Sequence, residues 1–362
     1  QRMKVLHVIT NFSALGGAES MLSRLIQAQP EHEHHVIALM RVNDTYQAAL
    51  DRCASVKALH WNGINTLSCL LQLRRQIKAL QPAVIQCWMY HANVLVSLAC
   101  LGVSSHPPIV WGIHHSLAAL KDESRSTKLA LLLSRRLSAR PEAIVYCAHA
   151  AAQQHQQFGF HSARGSVIPN GITLQDFHTQ AERHTPMVIG FAGRYHAAKG
   201  FEYLFAMIAK LQALPVVFHL AGKGVEAEQP EIAELMQRYQ IAPHKVICFG
   251  PVHDMPRFYQ GLDLLVMTSI TEGLPTVLIE AMASGVPCVT TDVGDAGFIV
   301  QETGYVVPAR DVDALADAVT HYFKLSDTDQ QILKTQARAR VAAQFSLDHV
   351  ADQYAALWAS CQ

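Results

Sequence analysis

The sequence predicts an α/β protein built of two doubly wound domains, and three observations carry that expectation. Short, β-rich apolar runs alternate with longer segments of helical period along the whole chain. The runs are continuously apolar rather than alternating, as in a parallel sheet covered on both faces. The rhythm runs once, breaks at the polar, turn-rich stretch 176–186, and runs again. A chain of 362 residues accommodates two such units.

In the first half the apolar runs predict strands at 4–9, 35–40, 84–87, 109–113, 143–147 and 167–169. Apolar residues spaced three and four apart predict helices at 18–28, 66–80 and 127–138. The second half predicts strands at 187–192, 216–221, 246–249, 264–267, 287–290 and 304–307. Helices are expected there at 200–211, 231–239, 255–260, 275–283 and 312–322. The expected domains are 1–178 and 186–345, with 346–362 as an amphipathic helix packing back onto the first. Ligands in such sheets bind outside the carboxyl ends of the strands, so two facing sheets would create a central cleft.

The composition, 50% hydrophobic and 16% charged, is that of a globular enzyme, and zero net charge gives no general attraction to nucleic acid. The halves differ. Residues 1–180 hold 16 Lys+Arg against 9 Asp+Glu, while 181–362 hold 13 against 20. A basic first half suits an anionic partner such as lipid phosphate; random scatter of surface charge explains it equally well. The 8 cysteines include no C-x-x-C pair, which predicts a reducing, cytoplasmic setting and no zinc site. His32, His34 and His35 are expected to decorate a loop rather than to ligate a metal. No secretory leader is expected at the start of the chain, and the longest apolar stretch, 92–103, is too short to cross a bilayer.

Three segments carry chemistry. After the first strand, Gly16 and Gly17 open a helix, allowing close backbone approach to a phosphate or sugar; a tight turn would need glycine as well. The absence of G-x-G-x-x-G there argues against a nicotinamide cofactor. The second domain opens with a strand followed by Gly193, Arg194, Lys199 and Gly200, placing two cations around a turn where a diphosphate can lie. Cations there would lower the barrier to departure of a nucleoside diphosphate. The strongest segment runs from Glu272 through Gly273, Leu274, Pro275, Thr276 and Val277 to Glu280. It offers carboxylates for hydroxyl groups beside a helix N-terminus for phosphate.

Together, the E-x7-E spacing of Glu272 and Glu280, the run EGLPTVLIEAMASGVPCVTTDVG, GRYHAAKGFEYL, IPNGI and the GGAE loop resemble the family 4 retaining glycosyltransferases of GT-B fold. The resemblance runs almost end to end and is most specific in the second domain. It implies two Rossmann-like domains and a nucleotide-sugar donor. It assigns Glu280 to the ribose, Glu272 and its neighbours to the donor sugar, and Arg194 and Lys199 to the diphosphate, with Gly17 approaching donor or acceptor. The family also places a histidine after a first-domain strand, near the transferred sugar. His114 directly follows the strand and is favoured, although His115 stands beside it. Tyr90 and His91, after another strand, suit an acceptor sugar; a capped helix start explains them nearly as well.

Residues 121–140 read as a basic amphipathic helix able to lie on an anionic membrane, unless its leucines pack onto the sheet. The expected reaction is transfer of a hexose-type sugar, UDP-linked by preference, to a hydroxyl of a glycan or lipid-linked glycan in bacterial surface polysaccharide assembly. Retention, from the resemblance, would proceed by same-face attack without a metal or other cofactor. The rivals are a sugar-nucleotide epimerase, a soluble-acceptor glucan or sucrose-type synthase, and a non-catalytic binder. The expected location is the cytoplasm, with peripheral contact to the inner face of the membrane.

Overall fold

A computed structural model describes residues 1–115, 117, 123–180 and 182–362. They form two compact units, Gln1–Gly171 with Leu347–Gln362, and Ile172–Ser346. The first unit closes at 171, short of the expected boundary at 178, because Ile172 is buried in the core of the second and Leu174 and Phe177 pack against that core.

The first unit carries strands β1 (Lys4–Ile9), β2 (Glu33–Ala38), β3 (Ser55–Ala58), β4 (Val84–Trp88), β5 (Ile109–Ile113), β6 (Ala143–Tyr146) and β7 (Gly165–Val167). All pairs are parallel, in the order β3-β2-β1-β4-β5-β6-β7. The order reverses between β1 and β4, and the loops leaving those strands flank the position where ligands bind in doubly wound sheets. Helices α1 (Gly17–Ala28), α2 (Gln47–Leu50), α3 (Thr66–Leu80), α4 (Tyr90–Ala99), α5 (Arg125–Leu137) and α6 (His149–Phe158) connect them. Right-handed crossovers place α3 to α6 on the face opposite α1 and α2, and α4 packs between α3 and α5.

The second unit repeats the plan with β8 (Met187–Ala192), β9 (Val216–Ala221), β10 (Val246–Gly250), β11 (Leu264–Met267), β12 (Cys288–Thr291) and β13 (Tyr305–Val307). Their order, β10-β9-β8-β11-β12-β13, puts the switch between β8 and β11, so the loops opening with Gly193 and with Thr268 are neighbours. Helices α7 (Phe201–Lys210), α8 (Pro230–Arg238), α9 (Met255–Gln260), α10 (Thr276–Ala283), α11 (Ala296–Val300), α12 (Val312–Lys324) and α13 (Asp327–Gln344) complete it. The last helix, α14 (Leu347–Ser360), belongs to the first unit, burying Val350, Ala351, Tyr354 and Trp358 in its core.

Some elements escaped the sequence. The edge strand β3 is only half-buried and carries no apolar run. Helix α13 turns Gln330, Lys334, Ala337 and Val341 inward, a stripe whose first half is polar. His34 and His35 stand within β2 rather than on a loop. His34 hydrogen-bonds His7 at 3.0 Å and the Gln29 carbonyl at 3.0 Å, and His35 bonds Glu33 at 2.8 Å.

Candidate functional site

In the second unit the chain leaves β8 through Gly193 and Arg194 and makes a 3-10 turn, Ala197–Lys199, before α7. Gly200 closes that turn at φ +65, and a Cβ there would come within 2.2 Å of the Thr268 carbonyl, so the loops after β8 and β11 meet only across a glycine. Two bonds hold them together: Ile270 N–H donates to the Ala198 carbonyl at 2.9 Å, and the Thr268 hydroxyl donates to the Lys199 carbonyl at 3.0 Å.

This clamp brings Lys199 onto Glu272. The ammonium Nζ lies 2.5 Å from Oε1 of Glu272, and the Ser269 hydroxyl donates to the same oxygen at 2.8 Å. Both side chains are mostly buried, at 22% and 12% exposure, so water weakens the pair less than it would on the surface. The sequence assigned the cation to a diphosphate and the carboxylate to a sugar; the structure joins the two side chains. Lys199 is oriented by Glu272, and any anion must share it.

A cavity of about 340 Å³ is lined by Gly193, Arg194, Lys223, Tyr259, Val277 and Glu280 among others; Lys199 and Glu272 are not on its wall, although the Lys199 side chain runs close to Gly193. Four of these lining residues were expected from the sequence. Lys223 and Tyr259 were not, although Gly222-Lys223-Gly224 follows β9 as Gly193-Arg194 follows β8. The buried Tyr259 phenol is pushed well above its ordinary pKa by burial and then by the Glu280 carboxylate it faces. It stays a neutral donor beside Glu280. Leu274 and Pro275 precede α10, which begins at Thr276 with Pro275 as its N-cap. The N–H groups of Thr276 and Val277 have no carbonyl one turn back to bond. Pro275 has no N–H and can contribute shape alone to such a site. The Gly273 carbonyl is held by the Asp295 N–H at 3.0 Å. A larger depression, about 530 Å³ with Arg74, Lys78 and His106 on its wall, lies in the first unit where Pro82 and Pro107 lead into β4 and β5. That is the amino edge of the sheet, away from the ligand-binding edge.

In the first unit His114 leaves β5 and stacks on Trp88, ring centroids 5.0 Å apart and 19° from parallel. Its Nδ1 lies 3.0 Å from Oδ1 of Asn170, its backbone N–H donates to the Met89 sulfur at 3.2 Å, and its Nε2 is buried without a hydrogen-bond partner among the described residues. The residue as a whole is only partly buried, but the ring is desolvated enough to lower its pKa to about 4 against the Asn170 bond that raises it. Met89 itself adopts φ +77, an unusual conformation for a residue with a Cβ.

His115 faces a different way and pairs with Glu123. Tyr90 is withdrawn as an acceptor contact: only 2% exposed, it turns into the helical layer and bonds His155 at 2.6 Å. Its apolar neighbours make it a helix-start residue of α4. His91 is partly buried, bonded to Ser126 at 2.9 Å, with its ring tilted 55° against Trp61 at 5.3 Å between centroids. Gly16 is extended at φ −162, and a Cβ on Gly17 would meet nothing within 4 Å. Turn geometry therefore does not require the glycine pair. On α5, Leu131 packs inward with Ala130 and Ser134, whereas Leu129, Leu132 and Leu133 are exposed at 59%, 46% and 38%. Lys121 lies outside the described residues.

Residues 15–176 match the family model described as Glycosyltransferase Family 4, and residues 186–324 that described as Glycosyl transferases group 1. The chain belongs to the family 4, group 1 glycosyltransferases. Among curated relatives of this family member, the D-inositol 3-phosphate glycosyltransferase of Corynebacterium urealyticum is 26% identical over 276 residues, 68% of this chain and 64% of that protein. The lipopolysaccharide core biosynthesis mannosyltransferase LpsB of Rhizobium meliloti is 30% identical over 216 residues, 54% of this chain and 60% of its own. The chain spans less than two thirds of the length of the curated relatives it matches. Among solved structures, Anabaena HepE in complex with UDP superposes with a TM-score of 0.76 at 20% identity, over 99% of this chain and 100% of that one. The apo form of the lipopolysaccharide outer core galactosyltransferase WaaB gives 0.76 at 16% identity, over 99% and 100%. These likenesses show that the family 4 member has the GT-B fold. No helix among the described residues is long and apolar enough to cross a membrane.

Proposed function

We propose that this chain is a retaining glycosyltransferase that moves a hexose-type sugar from a nucleoside diphosphate, UDP by preference, to a hydroxyl of a glycan or lipid-linked glycan. The observation that carries this reading is the cavity that Arg194, Lys223, Val277 of α10 and Glu280 line together, with the Lys199–Glu272 pair held on the same two loops. Cations and unpaired helix N–H groups suit a diphosphate, and a carboxylate kept beside a neutral phenol suits ribose hydroxyls. UDP is favoured because HepE was solved with it. Surface polysaccharide assembly is favoured because relatives such as LpsB carry that description.

In this mechanism Arg194, Lys199 and the α10 N-terminus stabilise charge on the departing diphosphate. Same-face attack lets that diphosphate take the acceptor proton, and His114 contacts the transferred sugar. Because protein cations neutralise the charge, transfer proceeds without a divalent metal.

The test is thermal unfolding with UDP, ADP, GDP and their sugars in the presence of a chelator, followed by transfer assays. One nucleotide should raise the Tm, since a ligand present at about 100 times its Kd adds roughly 2.7 kcal/mol to stability. No shift with any nucleotide, or quantitative conversion of a nucleotide sugar without acceptor, would overturn the assignment, the latter in favour of an epimerase.

The exposed leucines of α5 sit among Arg125, Arg136 and Arg140, and α3 adds a second stripe, Leu67 and Leu71 at 71% and 50% exposure followed by Arg74 and Lys78. We propose that this helical layer rests on an anionic membrane. Binding to phosphatidylglycerol vesicles, absent with phosphatidylcholine, should disappear on Leu129→Glu with Leu132→Glu; sedimentation unchanged by the substitutions would refute it.

A further inference from the structure

The IPNGI segment was conspicuous in the sequence but received no role there. Three of its residues have distinct positions in the structure. Ile168 is 3% exposed and belongs to the core of the first unit. Asn170 reaches His114. Gly171 is the last residue of the unit before the chain passes on, and a Cβ there would lie 2.9 Å from Cα of Leu347 and 3.2 Å from Val350. The Gly171 carbonyl accepts a bond from the Arg24 guanidinium. Asn170 is thus carried on a backbone pinned on one side by α14 and on the other by α1.

An amide oxygen can only accept. With Oδ1 of Asn170 3.0 Å away, Nδ1 of His114 must carry the proton, and a neutral ring then leaves Nε2 as a bare acceptor. Two further contacts fix the ring: the Trp88 stack and the Met89 sulfur on its backbone N–H. Among the described residues the acceptor Nε2 is buried and has no partner, so its lone pair is available to a donor that a ligand brings. A phosphate or carboxylate has no proton to give it. A hydroxyl does.

We propose that Asn170 is the positioning residue that holds His114 in the Nδ1–H form, making Nε2 the acceptor for one hydroxyl of the sugar and so selecting sugars that bear it. This rests on the proposed sugar-transfer reading and names the recognition rule at that site. Burial, which keeps the ring uncharged near neutral pH, reinforces the rule. The causes of the His114 shift are burial and the Asn170 bond; Glu123 and His115 are engaged with each other.

The first measurement needs no turnover. Long-range proton–nitrogen NMR on histidine-labelled protein should show His114 as the Nδ1–H form at pH 7, with a mixture of forms in Asn170→Ala. Finding the Nε2–H form in the unaltered protein overturns the proposal, whatever the fate of the transferase reading. The second measurement uses UDP-glucose and its monodeoxy analogues as probes. Asn170→Ala should lower kcat/KM for UDP-glucose by about 10–100-fold while leaving one deoxy analogue, the one lacking the hydroxyl that Nε2 receives, nearly unchanged relative to unaltered protein. An equal loss across all analogues would sink the selection rule. Asn170→Asp supplies a carboxylate of the same shape and should raise the acid limb of the kcat/KM profile toward neutrality, because a carboxylate favours the imidazolium. An acid limb that stays in place, with Asn170→Asp folded by circular dichroism, counts against it. Absence of any UDP-sugar binding, with the Nδ1–H form intact, would instead strike the function and leave the tautomer assignment standing.

Discussion

Lys199→Ala should reduce kcat by about two to four orders of magnitude, the range found when a group that stabilises developing charge is removed. The loss follows from geometry as much as from charge. The ammonium is held at 2.5 Å from Glu272, which the Ser269 hydroxyl also orients, so it arrives at its place without searching for it. Glu272→Ala should fall nearly as far, because it frees Lys199 to swing into water and removes the acceptor proposed for the donor sugar. Glu272→Gln separates the two contributions: the amide oxygen still accepts from Lys199 and Ser269, so binding should recover more than turnover does. The double variant should be little worse than either single one, since the residues act as a unit. Steady-state kinetics with the nucleotide sugar identified by thermal shift provides the measurement. Near-normal turnover in both single variants would remove the enzyme reading altogether.

Acid should unfold the protein well above the pH at which carboxylates usually govern such transitions. His7, His34 and His155 are at most 1% exposed, and burial lowers the pKa of each. For His155 and His114 it falls to about 4. A histidine held neutral in the folded state binds its proton on unfolding. Its stabilisation is therefore whole above pH 6.5, the unfolded value, and is lost as the pH drops toward 4. At pH 5 the fully buried His155 alone would have given up about 2 kcal/mol, at 1.36 kcal/mol per unit, with the partly exposed His114 giving up less. Against a total of roughly 5–15 kcal/mol this is a large share once His7 and His34 are added. Calorimetry should show Tm almost level from pH 8 to 7 and falling steeply between 6 and 4.5. A level Tm down to pH 4.5 would contradict the burial argument, and His155→Gln should flatten the fall.

Much of the second unit was legible in the sequence because its signals are local. Continuous apolar runs bounded by glycine marked β8, β9 and β11, and the E-x7-E spacing lies on one loop and its helix. What the sequence hid is pairing across distance. Nothing near Lys199 announces that Glu272, 73 residues on, will neutralise it, or that Tyr259 will stand behind Glu280. Tyr90 misled for a related reason: an aromatic after a strand faces ligand or core depending on the helix that follows, and α4 begins at Tyr90 itself. His114 and Asn170 lie 56 residues apart, each ordinary alone. Helix α13 was missed because Gln330 and Lys334 occupy positions where the period demands an apolar side chain.

The placement of α14 has a consequence for synthesis. The second unit, Ile172–Ser346, is an insert within the chain of the first. Val350, Ala351, Tyr354 and Trp358 fill a core whose other buried members lie before residue 172, and the Trp358 indole donates to Gln86, 272 residues earlier, at 2.9 Å. As the chain leaves the ribosome at about 5–20 residues per second, the unit made first must wait tens of seconds for its last piece. The unit made second can close at once. During that interval the buried pocket for Trp358, walled by His7 and His32 and reaching Gln86, stands open to water. The nascent chain thus folds from its middle outward, and the apolar surface most in need of a chaperone belongs to the end that emerges first.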